Sequence, residues 1–358
     1  MELVSLRITD LRLFESVELS LESGWNLFVG ANGAGKTTIL EAAYLLSHGQ
    51  SFRAGTRDAL VREGSEGYTI HSEQRRGRHH RGLAIGRIKG RLEARVGGQP
   101  CTVGELMRHS AVLCFEPGSH ALLSGGANER RRFLDWGVFH VEPEFLSTWS
   151  RYQRALRQRN ALLRGGSGEA ELPVWNAELA RWGEPLSAMR ARYFDRFVGQ
   201  ALPLLERLLP ELGVPRLSFQ SGHDPEQPLA GELVTTLGRD RERGHTTRGP
   251  HRADWSLGFA AAPRREHLSR GQEKLAAFSL LMAQAFCFRA SHGEMPVLCL
   301  DDLASEIDRE HLGRVIEMIV ACGAQVLATA TEWTPDHAGF SGAITRFHVE
   351  QAKVQRLL

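Results

Sequence analysis

The 358-residue chain has little cysteine, no long apolar run and almost no net charge, and each shortage excludes a class of protein. No apolar stretch approaches the roughly 20 residues that a membrane helix needs, and the N-terminal residues do not resemble a signal peptide. The net charge of +2 is too small to indicate a nucleic-acid partner by itself, so any evidence for one must come from local clusters of basic residues. The sequence therefore predicts an ordinary chain without a membrane partner.

Cysteine usage favours a reducing compartment. The cysteines are scattered and form no C-x-x-C pair, which argues against a zinc site or a disulfide framework. They are Cys101, Cys114, Cys287, Cys299 and Cys322. We expect reduced thiols in a cytoplasmic protein.

What the chain does contain is a phosphate-binding loop. Residues 30–38 read GANGAGKTT and match G-x-x-x-x-G-K-[ST], between the strand-like run Trp25–Val29 and a helix from about Lys36. Gly33 and Gly35 allow the backbone to approach phosphate, and the N–H groups of the loop and of the helix start favour an anion. We expect Lys36 to reach the β- and γ-phosphates of ATP and Thr37 to place its hydroxyl on Mg²⁺. The predicted nucleotide-binding residues of the loop are Gly30, Ala31, Asn32, Gly33, Ala34, Gly35, Lys36, Thr37 and Thr38.

Two acids follow a second apolar run. The segment MPVLCLDD is typical of a buried parallel strand, and it ends in Asp301 and Asp302. A helix ended by Gly323 and the strand-like AQVLATAT follow, which together predict a βαβ unit. We expect Asp301 to hold the Mg²⁺ shell and Asp302 to orient the attacking water. Two acids that merely cap a strand are the plainer alternative.

A third element precedes these acids. In HLSRGQEKL, Ser269, Gly271 and Gln272 lie just before an amphipathic helix. A small hydroxyl followed by glycine at a helix start is an anion site, although by itself it is only an N-cap.

The organisation of the chain is discontinuous. We predict one α/β lobe from residues 1–117 and 215–358, with an inserted helical arm at 118–214. Within the insert, two apolar stripes at helical spacing flank the flexible segment RGGSGE, which predicts two antiparallel helices. Helices of about 20–30 residues would reach about 30–45 Å, so the arm is short.

Basic residues cluster in two places. Residues 75–95 carry eight arginines and lysines with no acid before Glu93, and the arm adds Arg151, Arg154, Arg157 and Arg159. Phosphate contacts need cations but no base edge, so such patches predict sequence-independent, salt-sensitive DNA binding, with a solvated basic face as the alternative. The predicted DNA contacts are Arg75, Arg76, Arg78, Arg81 and Lys89.

The phosphate loop, LSRGQ and LDDLASEID, in this order, resemble an ATPase of the ABC/SMC type. The match narrows to the RecF family of bacterial recombination mediators through SFRAGTRDALVREG, ERRRFLD, TTRGPHRADW and LSRGQEKLAAFSLLMAQ. The resemblance implies an α/β fold: an ABC/SMC-type P-loop ATPase head, in which a mixed β-sheet with N-terminal antiparallel strands carries an inserted short antiparallel helical arm.

The resemblance also implies an ATP-dependent homodimer. In that family the Ser-x-Gly segment of one protomer touches the γ-phosphate held by the other. This adds Ser269 to Lys36, Asp301 and Asp302 as catalytic residues, and Gly271 and Gln272 as nucleotide contacts. LASEID is similar to the family's D-loop, with Ser305 and Asp308 facing the partner. Arg53 is similarly placed near nucleotide and partner, with a surface or DNA role left open.

Family function follows from the same resemblance. It implies binding to DNA at gaps and at junctions of single and double strands, and action with RecR and RecO to load RecA, with roles in fork repair and SOS induction. It implies a slow, DNA-stimulated ATPase. Two departures from the broader ABC pattern favour slow hydrolysis: Asp302 replaces the usual Glu, and Thr329 and Thr331 stand where a switch His is expected.

Two other classes of P-loop protein fit the sequence less well. An ABC subunit of a membrane transporter would not explain the arm, the missing switch His or the late Ser-x-Gly segment. A small-molecule P-loop kinase would not explain LSRGQ or the D-loop. DNA-stimulated hydrolysis and ATP-dependent dimers would distinguish a DNA-binding ATPase from both.

Overall fold

The computed structural model describes residues 1–53, 57–165, 169–332 and 343–357. Its strands are β1 Glu2–Leu11, β2 Phe14–Ser20, β3 Trp25–Val29, β4 Tyr68–Arg76, β5 His79–Ile88, β6 Arg91–Val96, β7 Gln99–Cys101, β8 Val112–Phe115, β9 Pro215–Gln220, β10 Asp254–Phe259, β11 Val297–Leu300, β12 Val326–Ala330, β13 Ile344–Glu350 and β14 Lys353–Leu357.

Its α-helices are α1 Lys36–His48, α2 Val103–His109, α3 Ala121–Ser124, α4 Ala127–Val141, α5 Phe145–Gly165, α6 Leu172–Leu208, α7 Leu229–Thr235, α8 Leu237–Arg243, α9 Arg270–His292, α10 Leu303–Glu306 and α11 Arg309–Cys322. Short 3₁₀ turns lie at Arg57–Leu60, Glu169–Glu171, Pro210–Leu212, Pro250–Arg252 and Arg265–His267.

Contacts divide the chain into two compact units. The first consists of Met1–Ser119 with Lys274–Leu358, and the second is His120–Glu273. The boundaries predicted from the sequence are 117 and 215 instead. Residues 215–273 group with the second unit because β9 pairs antiparallel with β10 in a two-stranded sheet of its own.

The first unit contains a mixed sheet with the strand order β14-β13-β3-β12-β11-β8. β3 lies parallel to both β12 and β13, and β11 lies parallel to both β12 and β8. All four residues of β11 are buried, as the continuous apolar run predicts. The parallel pairing brings the carboxyl ends of β3, β11 and β12 to one edge, which we call the phosphate edge.

The N-terminal strands form a separate antiparallel sheet, in the order β2-β1-β4-β5-β6-β7. Leu6 and Ile8 are buried while Arg7 between them is exposed, as in a strand that packs one face on the core. A single core joins both sheets and α1, and it includes Phe14, Phe28 and Phe347.

Two long helices dominate the second unit. Arg159 of α5 contacts Asn176 of α6, and Tyr152 lies next to Gly183, so the helices run antiparallel as predicted. α6 is longer than predicted: its 37 residues span about 55 Å. It continues through Pro185 and Pro203, because buried side chains recur along the whole helix.

Within the described ranges, no helix is both long and apolar enough to cross a membrane.

Candidate nucleotide-binding site

The phosphate loop has the backbone that its sequence predicts. β3 ends at Val29 and α1 begins at Lys36. Gly33 has φ 80° and Gly35 has φ 113°, conformations that residues with a Cβ avoid. No side chain caps the start of α1 at Gly35, so the amide groups of its first turn can serve an anion.

Lys36 lies over the loop. Its side chain is buried, and Nζ donates to the carbonyl oxygens of Gly30 at 2.6 Å and Ala31 at 3.0 Å. Burial lowers the pKa of Lys36, and the nearby Asp302 and Asp301 oppose that shift. The ammonium is therefore held where loop and acids meet, which is the position that a phosphate-binding lysine needs.

Asp301 is the centre of a hydroxyl–carboxylate cluster. Thr37 Oγ1 donates to its two oxygens at 3.0 and 3.1 Å, and Thr329 Oγ1 donates to Oδ1 at 2.7 Å. Burial raises the pKa of Asp301, the two threonine hydroxyls oppose that rise, Asp302 adds to it, and Arg53 opposes it. Oxygen ligands of this kind suit Mg²⁺, so Thr37 and Asp301 fit the metal predicted for them.

Asp302 follows in a left-handed conformation, with φ 51°. Such a backbone costs a residue with a Cβ roughly 1–2 kcal/mol, and it points to a functional constraint. The Asp302 N–H donates to Thr329 Oγ1 at 2.9 Å. Thr329 thus bridges the two acids at the position where the sequence offers no switch His, whereas Thr331 is exposed.

Neighbouring elements brace the loop. A Cβ on Gly30 would lie 2.0 Å from the carbonyl oxygen of Val349 in β13, and the Ala352 N–H donates to Ala34 O at 3.2 Å. The β13–β14 hairpin therefore fixes the loop from the side opposite the acids' strand, because β13 and β12 flank β3.

An ion pair that the sequence did not predict joins Arg12 to the buried Glu41 of α1. Arg12 Nη2 contacts Glu41 Oε1 at 2.8 Å, and Glu41 is fully buried. Ser51 also donates to Glu41, and the Arg53 N–H donates to Ser51 Oγ at 2.9 Å. A glutamate inside an otherwise apolar helix was the available signal. This series of contacts positions the exposed Arg53, whose positive charge opposes the rise in the pKa of Asp301.

The Ser-x-Gly segment forms the start of α9 in the second unit. Gln272 N donates to Ser269 Oγ at 3.2 Å, and Ser269 N donates to Gln272 Oε1 at 3.0 Å. This reciprocal arrangement is a capping box. Ser269 and Gly271 are both exposed, so the cap is formed and its outer surface stays accessible to another molecule.

Asp308 has a structural role of its own. It is the N-cap of α11, where it accepts from the N–H groups of Glu310 and His311 at 3.1 Å each. Burial would raise the pKa of Asp308, but the hydrogen bonds from His311 and Glu310 outweigh it, so the pKa is lowered. Its side chain is 56% exposed, and Ser305 is exposed too, so both can face a partner.

The predicted DNA contacts do not form one patch. Arg75, Arg76, Arg78 and Arg81 flank the β4–β5 turn, where Arg75 pairs with Glu2 and Arg76 with Glu294. Arg81 lies 3.0 Å from His109, and Arg78 is exposed. Lys89 lies beyond the other end of β5, about 30 Å away along its ten residues.

The two ends differ in their distance from the loop. Glu294, the partner of Arg76, precedes β11 and so lies opposite the phosphate edge. Lys89 lines a cavity of about 260 Å³ with Asp10, two residues from the Arg12 that contacts α1. Of the five predicted DNA contacts, Lys89 is therefore the one on the side of the phosphate edge.

The prediction that the four arginines of the arm form a basic surface patch is wrong for Arg159. Arg159 is fully buried and pairs with Asp240 at 2.8 Å, so it cannot reach DNA. Arg151 lies 4.4 Å from the ring of Trp182.

In the part of the chain that the structure describes, no group of three or more His, Cys, Asp or Glu side chains could hold a metal. At the phosphate edge, Thr37 and Asp301 are the residues that would hold a metal.

Known proteins share this sequence and fold. Residues 2–338 match the family model of the RecF/RecN/SMC N terminal domain. The chain is 48% identical over 364 residues to the DNA replication and repair protein RecF of Stenotrophomonas maltophilia strain R551-3, with 99% of each chain covered.

Solved structures agree in fold. The structure described as the recombination mediator protein RecF–ATP in the RecFOR pathway superimposes with a TM-score of 0.88 at 25% identity, covering 99% of this chain and 97% of that one. An Smc head bound to the C-terminal winged-helix domain of ScpA superimposes with a TM-score of 0.59 at 15% identity, covering 100% and 98%. The fold is thus that of a RecF/SMC ATPase head, as the sequence predicts.

Proposed function

Since the chain belongs to the RecF family of the RecF/RecN/SMC N-terminal domain proteins, we propose that it is an ATP-dependent, DNA-binding mediator of recombinational repair. The observation that carries this proposal is the phosphate edge. There a loop of positive-φ glycines, a buried lysine and the Thr37–Asp301–Thr329 cluster lie together. That arrangement suits a magnesium nucleotide.

The contacts at the phosphate edge support these residue roles. The loop amides and Lys36 would hold the phosphates, and Thr37 with Asp301 would hold Mg²⁺, which when bound neutralises charge on the phosphate oxygens. Asp302 orients the attacking water. Its left-handed backbone and the hydrogen bond from its N–H to Thr329 support this role. With an aspartate and no switch His, we expect hydrolysis to be slow and to be stimulated by DNA.

ATP joins two copies of the chain. Ser269 and Gly271 are exposed at the start of α9, and a preformed helix start can accept the γ-phosphate held by a second copy. Ser305, Asp308 and Arg53 are exposed and would face the partner. The dimer holds DNA while ATP is intact and releases it after hydrolysis.

The cellular role is proposed from the relatives. The similar solved protein is described as a recombination mediator of the RecFOR pathway, which supports action with RecO and RecR. We propose that the dimer binds gapped DNA, at junctions of single and double strands, and helps RecA load in the cytoplasm. Fork repair and SOS induction would depend on that step.

Sedimentation tests the proposal. The wild-type chain should dimerise with ATP and gapped DNA and stay monomeric with ADP. Ser269→Arg should abolish the dimer and leave ATP binding by the monomer intact, because the arginine blocks the trans contact only. Ser147→Arg, at an exposed serine on α5 of the same unit, is the matched control and should dimerise normally. A Ser269→Arg chain that still dimerises with ATP would refute the trans contact.

A further inference from the structure

The segment Gly249–Arg252, which the phosphate edge does not use, forms a rigid turn in the second unit. Gly249 has φ 129°, and a Cβ there would lie 2.8 Å from the Tyr152 hydroxyl. Its N–H donates to Gly222 O at 3.0 Å, and Arg190 Nη1 donates to Pro250 O at 2.6 Å. The turn is therefore fixed by its surroundings, and Arg252 extends from a rigid base.

His251 supplies no charge to this turn. Its Nδ1 lies 2.6 Å from the Tyr152 hydroxyl, and its Nε2 lies 2.9 Å from Thr246 O. Since Thr246 O can only accept, Nε2 carries the proton and Nδ1 accepts from Tyr152. Burial lowers the pKa of His251 to about 4, so the imidazole is neutral at pH 7.

Three nearby arginines are matched by three aspartates. Arg130 pairs with Asp254 at 2.7 Å, Arg190 with Asp135 at 2.7 Å, and Arg159 with Asp240 at 2.8 Å. These pairs occupy the carboxylates of Asp254, Asp135 and Asp240.

Arg131 and Arg252 form no such ion pair with the described residues. Arg131 Nη1 donates to Ala253 O at 2.8 Å, which places its guanidinium beside the residue after Arg252. Arg252 reaches Thr246 O only at 3.5 Å. Neither has a carboxylate within 4 Å among residues 1–53, 57–165, 169–332 and 343–357. Burial lowers the pKa of Arg131, and the charges of Arg190 and Arg252 lower it further, although Asp254 and Asp135 oppose them.

We propose that Arg131 and Arg252 form a binding site for a backbone phosphate of DNA. Two neighbouring guanidiniums, one fixed on α4 and one on a rigid turn, present planar donors to a phosphate and leave the bases unread. Arg252 is exposed, so an extended strand can reach the pair. A bound phosphate would supply the negative charge that the three aspartates do not. This inference rests on the proposed DNA-binding function.

Salt titration of DNA binding tests it. A fluorescein-labelled gapped duplex is titrated with the ATP-bound protein at several salt concentrations, for the wild type, Arg131→Gln, Arg252→Gln and the double variant. Each lost duplex phosphate contact should reduce the slope of log affinity against log salt by about 0.9. Because both arginines are proposed to share one phosphate, each single variant and the double should lose a similar amount. Arg252→Lys should retain the slope.

Arg132→Gln is the matched control, since Arg132 is exposed on the same helix and pairs with Glu129. It removes the same charge and should leave the slope unchanged. A slope for Arg131→Gln and Arg252→Gln equal to that of Arg132→Gln would overturn the inference. So would an unchanged slope with loss of ATP-dependent dimers, which would assign the site to nucleotide phosphate. Thermal melts establish that the variants are folded, and a misfolded glutamine variant is replaced by Met. If the wild type fails to bind DNA, the proposed function itself fails.

Discussion

The phosphate edge of the first unit and the Gly249–Arg252 turn of the second both depend on charged side chains, but they assemble them differently. At the phosphate edge, the loop residues are adjacent in the sequence, and the side chains of Lys36 and Asp301 bond to carbonyls and hydroxyls. Around the turn, the guanidiniums of Arg130, Arg159 and Arg190 each meet a carboxylate from a distant segment. The first arrangement keeps its charges available for a ligand, and the second uses most of them to hold the fold.

The largest effect that would test this contrast is expected at Asp240. Asp240→Ala should reduce the free energy of unfolding by about 3–5 kcal/mol, because it leaves Arg159 buried without its partner. In the first unit, Glu18→Ala breaks the exposed pair with Arg7, which solvent screens, and should change the free energy of unfolding little. Urea unfolding followed by circular dichroism measures both.

A double variant separates charge from volume. Arg159→Met with Asp240→Leu should regain much of the lost stability, since no unpaired charge remains buried. Equal, small losses for Asp240→Ala and Glu18→Ala would show that the buried pair does not hold the second unit together.

A smaller effect, about 3 kcal/mol, is expected from the titration of His251. The pKa of its imidazole falls from 6.5 to about 4 on folding, so the neutral form is favoured in the folded chain. A depressed folded pKa contributes stability that is fully present above pH 6.5 and is lost as the pH falls toward 4. Unfolding free energies measured from pH 8 to pH 4 should decline less steeply for His251→Gln than for the wild type.

The pH range supplies its own control. Above pH 7.5 the imidazole is neutral in both states, so the difference between the two proteins should be constant there. Parallel curves over the whole range would mean that His251 is not held neutral by the turn.

The same contrast explains what the sequence could predict. A phosphate loop is made by a few adjacent residues, and Gly33 and Gly35 reveal its backbone directly. The bounds of β3 and the start of α1 were predicted correctly for that reason. β11 was equally visible, because a strand buried on both faces is apolar throughout.

Pairing across the chain was not visible. The sequence does not reveal that β9 pairs with β10, whose residues lie more than 30 positions away. The arm helices were predicted from their apolar stripes, whereas Arg159 appeared as one more basic surface residue because Asp240 is remote in the sequence. The basic run at 75–95 is continuous in sequence, yet the turns before and after β5 place Arg78 and Lys89 at opposite ends of that strand.

Thr329 shows the limit most clearly. Its hydroxyl reaches Asp301 only because β12 pairs in parallel register with β11, with Ala328 beside Leu300. From the sequence alone, Thr329 and Thr331 were equivalent replacements for the missing His. The register distinguishes them, since Thr329 is buried at the acids and Thr331 is exposed.

The smallest expected effect sharpens the contrast at this residue. Thr329→Val removes a donor to Asp301 and the acceptor of the Asp302 N–H, so the pKa of Asp301, already raised by burial, should rise further. ATP turnover should fall roughly 10-fold at acidic pH and recover as the pH rises, because a lost hydrogen bond to a charged group costs about 1.5 kcal/mol. Thr329→Ser keeps the hydroxyl and should turn over like the wild type. A loss that is the same at every pH would mean that Thr329 acts by packing. The phosphate edge would then resemble the buried turn, where side chains serve the fold, more closely than the hydrogen bonds suggest.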